Sequence, residues 1–122
     1  NLHGEVLPVG GVNEKIEGYF RICRTAGLDG SQGVLIPDRN RRHLMLDRDV
    51  VEAVRDGLFH IYTAEQASDG IELLTGLPSG MGAVAGDYPA DSILGRVQKT
   101  LQAYRRACQA ADSPKTPRRN AR

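Results

Sequence analysis

At 122 residues, 40% of them hydrophobic and 25% charged, the chain has ordinary globular usage and length for one domain with a modest core. No stretch approaches the ~18 apolar residues of a membrane-spanning helix, so no membrane partner is expected; that no signal peptide opens the chain says little about targeting. The net charge of +1 is uneven: Lys115, Arg118, Arg119 and Arg122 against Asp112 put +3 on residues 112–122 and leave −2 elsewhere, which argues against a nucleic-acid-binding body.

Residues 5–9 alternate weakly around Pro8 and predict an edge strand or a strand near a bulge. The glycine pair Gly10-Gly11 leads into a helix from about Val12 to Ala26, with Ile16, Phe20 and Cys23 on one buried face and Gly27 as its stop. After a turn at 28–32, Val34-Leu35-Ile36 reads as a short buried strand between Gly33 and Pro37. Residues 38–43 form a polar, basic loop. A second helix is expected to start near Asp49, with Asp49-x-x-Glu52 as a capping box, Val50, Val54 and Leu58 as its core face, and Gly57 at its end. Phe59 to Tyr62 is the next strand. Thr63-x-x-Gln66 caps a third helix with Ile71 and Leu74 facing the core, weakened in its middle by Gly70 and stopped by Gly76. Strand and helix alternate, giving a mixed α/β layer of α+β class.

Pro78, Gly80, Gly82, Gly86 and Pro89 make residues 78–90 a flexible linker. A last helix follows over 91–111, its stripe Ile93, Val97, Leu101, Tyr104 and Cys108 stepping by four, four, three and four. That stripe packs either on the domain or on a neighbouring subunit. The basic tail 112–122, rich in Pro and Arg, is expected to be disordered. Cys23 and Cys108 read as small core residues; two thiols make no disulfide framework, and a reducing, cytoplasmic setting is the default. His3, His43 and His60 have no second ligand at metal spacing, so no metal site is expected, and no phosphate-binding loop is present.

The residue with the most chemistry to offer is Lys15. It falls in the first turn of the first helix, where a cation meets the positive end of the helix dipole. A lysine so placed is a candidate for one that must lose its proton. Gly11, four residues before it, and Gly18, three after it, share its helical face and bring no bulk, so a substrate backbone has room to approach. Glu14 and Glu17 point to other faces; either would stabilise the ammonium if it bent toward Lys15. An exposed lysine in a Glu-Lys-rich turn is the plain alternative.

Residues 4–15, Gly-Glu-Val-Leu-Pro-Val-Gly-Gly-Val-Asn-Glu-Lys, resemble the segment around the catalytic lysine of Lon-type ATP-dependent serine proteases. The family pattern is a strand, Gly-Gly-x-x-Glu-Lys, a helix and a second strand ending Ile-Pro. Gly10, Gly11, Glu14 and Lys15 match it, as does Gly33-Val-Leu-Ile-Pro37; the run 10–18 followed by Arg42-His43-Leu44-Met45-Leu46 is closest to the Lon-related branch. The resemblance spans about residues 1–80. It implies that residues 1–77 are the C-terminal portion of a two-layer Lon-like proteolytic domain, with Lys15 as catalytic residue and Gly10, Gly11, Glu14 and Gly18 shaping the substrate approach. It also implies protein or peptide substrates, a homo-oligomeric ring, often hexameric, and an ATPase module using ATP and Mg²⁺ that lies outside this chain, which itself carries no cofactor.

The family's nucleophilic serine lies well upstream of the lysine in a small-residue motif. Ser31, Ser68, Ser79, Ser92 and Ser113 match no such motif, so the expectation is a C-terminal fragment, inactive alone, holding half of a Ser–Lys dyad. A serine hydroxyl needs a base to take its proton, and a lysine can be that base only when neutral. A reference lysine holds its proton to about 10.4, whereas a useful base sits near 7–8. Burial and a helix N-terminus both push toward the neutral amine. Two rival expectations are a non-catalytic oligomerisation or interaction module built on the last helix, and a regulatory domain whose loop Arg39, Arg41, Arg42 and His43 binds an anion.

Overall fold

The computed structural model describes residues 1–82 and 86–112, in two units, Asn1–Thr75 and Gly76–Arg122. Beyond Asp112, the expected basic tail lies outside the described residues.

In the first unit the chain order is α1 (Val12–Ala26), β1 (Gly33–Pro37), a 3₁₀ segment (Asp38–His43), α2 (Arg48–Arg55), β2 (His60–Ala64) and α3 (Ala67–Thr75). β1 and β2 form a two-stranded parallel sheet in the register Gly33↔His60 to Pro37↔Ala64. Helices around a small sheet give the α+β class expected from the sequence. α1 buries Val12, Ile16, Phe20 and Cys23, the predicted stripe extended one turn toward its start. These meet Ile36, Val50, Ala53 and Phe59 in one core. Phe59 (0% exposed) stands edge-on to Phe20, with ring centroids 5.3 Å apart. Burying each such side chain contributes about 1.5–3 kcal/mol.

Residues 5–9 form no strand; Glu5 makes one antiparallel bridge to Gln66, and Leu7 and Val9 are exposed. Pro8 has no N–H to give a ladder, and the backbone of Val9 is taken by the side chain of Asn40. α2 starts at Arg48, close to the expected position, but with Asp47 rather than Asp49 at its N-cap position. Asp49 instead pairs with Arg24 of α1. Val54 and Leu58 are exposed, and the helix buries Val50 and Ala53. Its last turn explains the change: the N–H groups of Leu58 and Phe59 both donate to the Ala53 carbonyl, at 2.9 and 3.3 Å, and this tight turn delivers Phe59 to the core in place of Leu58.

Thr63 is not a cap either, since it stays in β2 opposite Ile36. Asp69 does that work from inside α3, its Oδ2 accepting the N–H groups of Glu65 and Gln66 at 3.0 and 2.8 Å. α3 buries none of its residues, and Leu74 is 80% exposed instead of facing the core.

In the second unit, α4 runs Ile93–Asp112. Its N-terminus is closed by a knot of polar groups. The Ser92 Oγ accepts from the Gly95 N–H at 3.0 Å and donates to the Pro89 carbonyl at 2.6 Å. The N–H groups of Ile93 and Leu94 donate to the carbonyls of Pro78 and Ser79. Most of the orphan donors of a helix start are thereby matched by residues 78–92. Gly95 is a glycine because a Cβ there would overlap the Pro89 carbonyl. Val97, Leu101 and Tyr104 are exposed, and Cys108 is exposed as well, contrary to the expected core role. No other helix or strand is described in this unit to cover them. Among the described residues no helix is long and apolar enough to cross a membrane.

Candidate active site

Gly11 is the N-cap of α1 with φ of 65°, a left-handed conformation in which a Cβ is strained, and it makes no side-chain cap. This turn aims the chain from Gly10 into the helix. Lys15 donates its backbone N–H to the Gly11 carbonyl at 3.1 Å. Its side chain folds back along the same turn, and Nζ donates to the Gly10 carbonyl at 3.2 Å. Lys15 is exposed. It sits on the rim of a cleft of about 160 Å³ whose other walls are Val9, Val12, Ile16 and residues 34–37 of β1. The amine is thus held against the approach to α1, beside a strand paired on one side only, by β2.

No carboxylate among the described residues lies within ion-pair distance of Lys15. Glu17 is committed elsewhere: it accepts the Asp47 N–H at 3.0 Å and faces Arg21 at 3.8 Å. Glu14 is exposed. A Cβ built at Gly10 or Gly18 would meet nothing within 4 Å, so both flanks of the lysine are open. Tyr19 lies one turn beyond Lys15. Hydrogen bonding to Cys23, with the charge of that thiol second, pushes its phenol above the ordinary value, so it supplies no anion near neutral pH.

Two asparagines that sequence reasoning passed over hold this turn in place. Asn40 is buried, and its side-chain amide grips both backbone groups of Val9: Oδ1 accepts the Val9 N–H and Nδ2 donates to the Val9 carbonyl, each at 2.9 Å. This is a strand-like pairing made by one side chain, immediately before Gly10-Gly11. On the far side, Asn13 donates to the His43 carbonyl at 3.2 Å and accepts the Met45 N–H at 2.9 Å. Asn40 was hidden in a run of arginines that reads as a solvated loop; its one signal was being the uncharged residue of that run. The arginines themselves do not converge: Arg39, Arg41, Arg42 and His43 are all exposed, and Arg41 pairs with Asp38. His60 sits half-buried with its ring nitrogen 2.8 Å from the Gly30 carbonyl, well apart in sequence from the lysine turn. Among the described residues no group of three or more His, Cys, Asp or Glu side chains is placed to hold a metal ion.

No protein-family model matches the chain. Over 74 residues, 61% of its length, the chain is 49% identical to an Escherichia coli protein named "Putative Lon protease homolog". Over 73 residues, 60% of its length, it is 51% identical to a Haemophilus influenzae protein of the same name. It spans only 13% and 12% of the lengths of those two relatives. These similarities bear out the resemblance to Lon-related proteins carried by residues 4–15 and 33–37.

Proposed function

We propose that these residues are the lysine-bearing part of a Lon-type, ATP-dependent serine peptidase, folded as part of its two-layer proteolytic domain. Lys15 is the general base of a Ser–Lys dyad, and the nucleophilic serine comes from a segment outside these 122 residues. The observation that carries this reading is the place of the Lys15 amine: at the head of α1, with no carboxylate among the described residues within ion-pair distance, on the rim of a cleft beside β1. The names of the two relatives point the same way.

The chemistry follows from that position. Neutral Nζ takes the proton of the serine hydroxyl as its oxygen attacks the peptide carbonyl. The resulting ammonium then gives the proton to the departing amine, and water repeats the cycle on the acyl-enzyme. The exposure of Lys15 means that the described residues do not supply the burial the neutral amine needs. The segment that brings the serine supplies it, covering the cleft as it joins. Gly10, Gly11 and Gly18 leave room for an extended substrate, and Glu14 stays at the edge of that approach. Protein or peptide substrates, a homo-oligomeric ring, a cytoplasmic setting and an ATPase module using ATP and Mg²⁺ belong to the same reading. Two free cysteines agree with a reducing compartment.

The test uses the full-length parent. Lys15→Ala should lower casein cleavage by roughly 10²–10⁴-fold, the usual contribution of a general base, while assembly and ATP hydrolysis persist. Cleavage at the parental rate would rule the base role out.

A further inference from the structure

We propose that Asn40 is a positioning residue for the Lys15 amine, acting through Val9 and the Gly10 carbonyl. The inference rests on the peptidase reading above and adds to it the group that decides where the base stands. A lysine side chain is long and flexible, and a base contributes only when its nitrogen is held at the reacting proton. Among the described residues Nζ has one hydrogen-bond partner, the Gly10 carbonyl at 3.2 Å. The direction of that carbonyl therefore sets the place of the amine.

Gly10 and Gly11 do not fix that direction themselves. Neither has a side chain to pack, and a glycine backbone turns more freely than any other. The pair is held from its two ends instead. After it, the Lys15 N–H donates to the Gly11 carbonyl at 3.1 Å as α1 begins. Before it, Asn40 takes both the N–H and the carbonyl of Val9, at 2.9 Å each, and so fixes the peptide plane from which Gly10 departs. Asn40 is only 4% exposed and lies in the segment Asp38–His43 directly after β1. Residues 34–37 of that strand wall the cleft on whose rim Lys15 sits. One side chain thus ties the lysine turn to the opposite wall of the cleft. The residue type fits the task. An amide carries a donor and an acceptor on one plane, as the two groups of Val9 require, and it carries no charge. A carboxylate there would leave the Val9 carbonyl without a donor and put a negative charge on the segment that holds the base, favouring the ammonium.

The test is a double-mutant cycle in the full-length parent: Asn40→Ala, Lys15→Ala and both together. Each is scored on a fluorogenic peptide, with assembly and ATP hydrolysis as the check that the variant is folded. Asn40→Ala should lower kcat roughly 10–100-fold, the range of a misplaced catalytic group, and leave KM within about 2-fold. In the Lys15→Ala background, where no amine remains to be placed, the same change should lower kcat by less than about 2-fold. Asn40→Ser, which keeps a polar group at the site, takes the place of the alanine variant if that one does not assemble, and the same pattern is expected. Parental kcat in the Asn40 variant, or an equal loss in both backgrounds, overturns the proposal, because the side chain then serves the fold alone. Lys15→Ala cleaving at the parental rate is a different failure: it removes the peptidase reading, and the proposal with it.

Discussion

α1 and α4 obey the same sequence rule and meet different fates. Each repeats apolar residues every three or four positions, yet α1 buries its stripe and α4 leaves Val97, Leu101 and Tyr104 exposed. α1 has a sheet edge, α2 and Phe59 to pack against; α4 has, in its own described unit, only the turns that close its first residues. The two regions differ in electrostatics as well: Arg21, Arg24, Arg41 and Arg48 in Asn1–Thr75 are ion-paired, and among the described residues Arg96, Lys99, Arg105 and Arg106 of α4 are not. Periodicity therefore fixes which face of a helix is apolar, and the neighbours decide whether that face becomes core or contact surface.

Substitutions in the two regions turn this contrast into measurements. The largest expected effect is at Phe59, where Ala should remove about 3–5 kcal/mol of stability in urea unfolding. The matching change Leu101→Ala in α4 should stay within ~0.5 kcal/mol, as for an ordinary surface site. Similar losses at the two positions would break the comparison. Next comes Asn40→Ala, which strips the Val9 N–H and carbonyl of their partner at a buried position and should cost about 1–3 kcal/mol. It should also raise amide exchange at Val9 and the adjoining glycines, which a change confined to the surface would not do. In the second unit Ser92 caps the start of α4, so Ser92→Ala should remove about 1 kcal/mol and fray that start, read as lost helicity. The smallest effect is at Asp29. The Ser31 hydroxyl first, and the Ser31 N–H second, hold its carboxyl below the ordinary range. The stabilisation is therefore present above the ordinary carboxylate value and fades as pH falls through the lower folded value. Ser31→Ala should move the carboxyl titration in NMR upward, toward the ordinary carboxylate range.

Much of the first unit was legible. The stripe of α1, the run Val34 to Ile36 and the glycine stop at Gly27 all arise from local signals, and each stands close to where the sequence puts it. The lysine turn was legible for the same reason: two glycines and a helix start are neighbours in sequence. Asn40 was not, because its partner Val9 lies 31 residues away. The faces of α2 and α3 were misread because both helices are short. Over eight or nine residues, one tight turn or one strand register outweighs the periodic pattern, as the displacement of Leu58 by Phe59 shows.

The order of elements, the apolar faces of the two long helices and the chemistry gathered around Lys15 were thus set by residues close together along the chain, where helix period, glycine freedom and backbone geometry act without help from a distant partner. The grip of Asn40 on Val9, the entry of Phe59 into the core and the exposure of α4 came only from tertiary structure. They depend on which surfaces meet, and contact free energy between remote segments leaves no trace in local spacing.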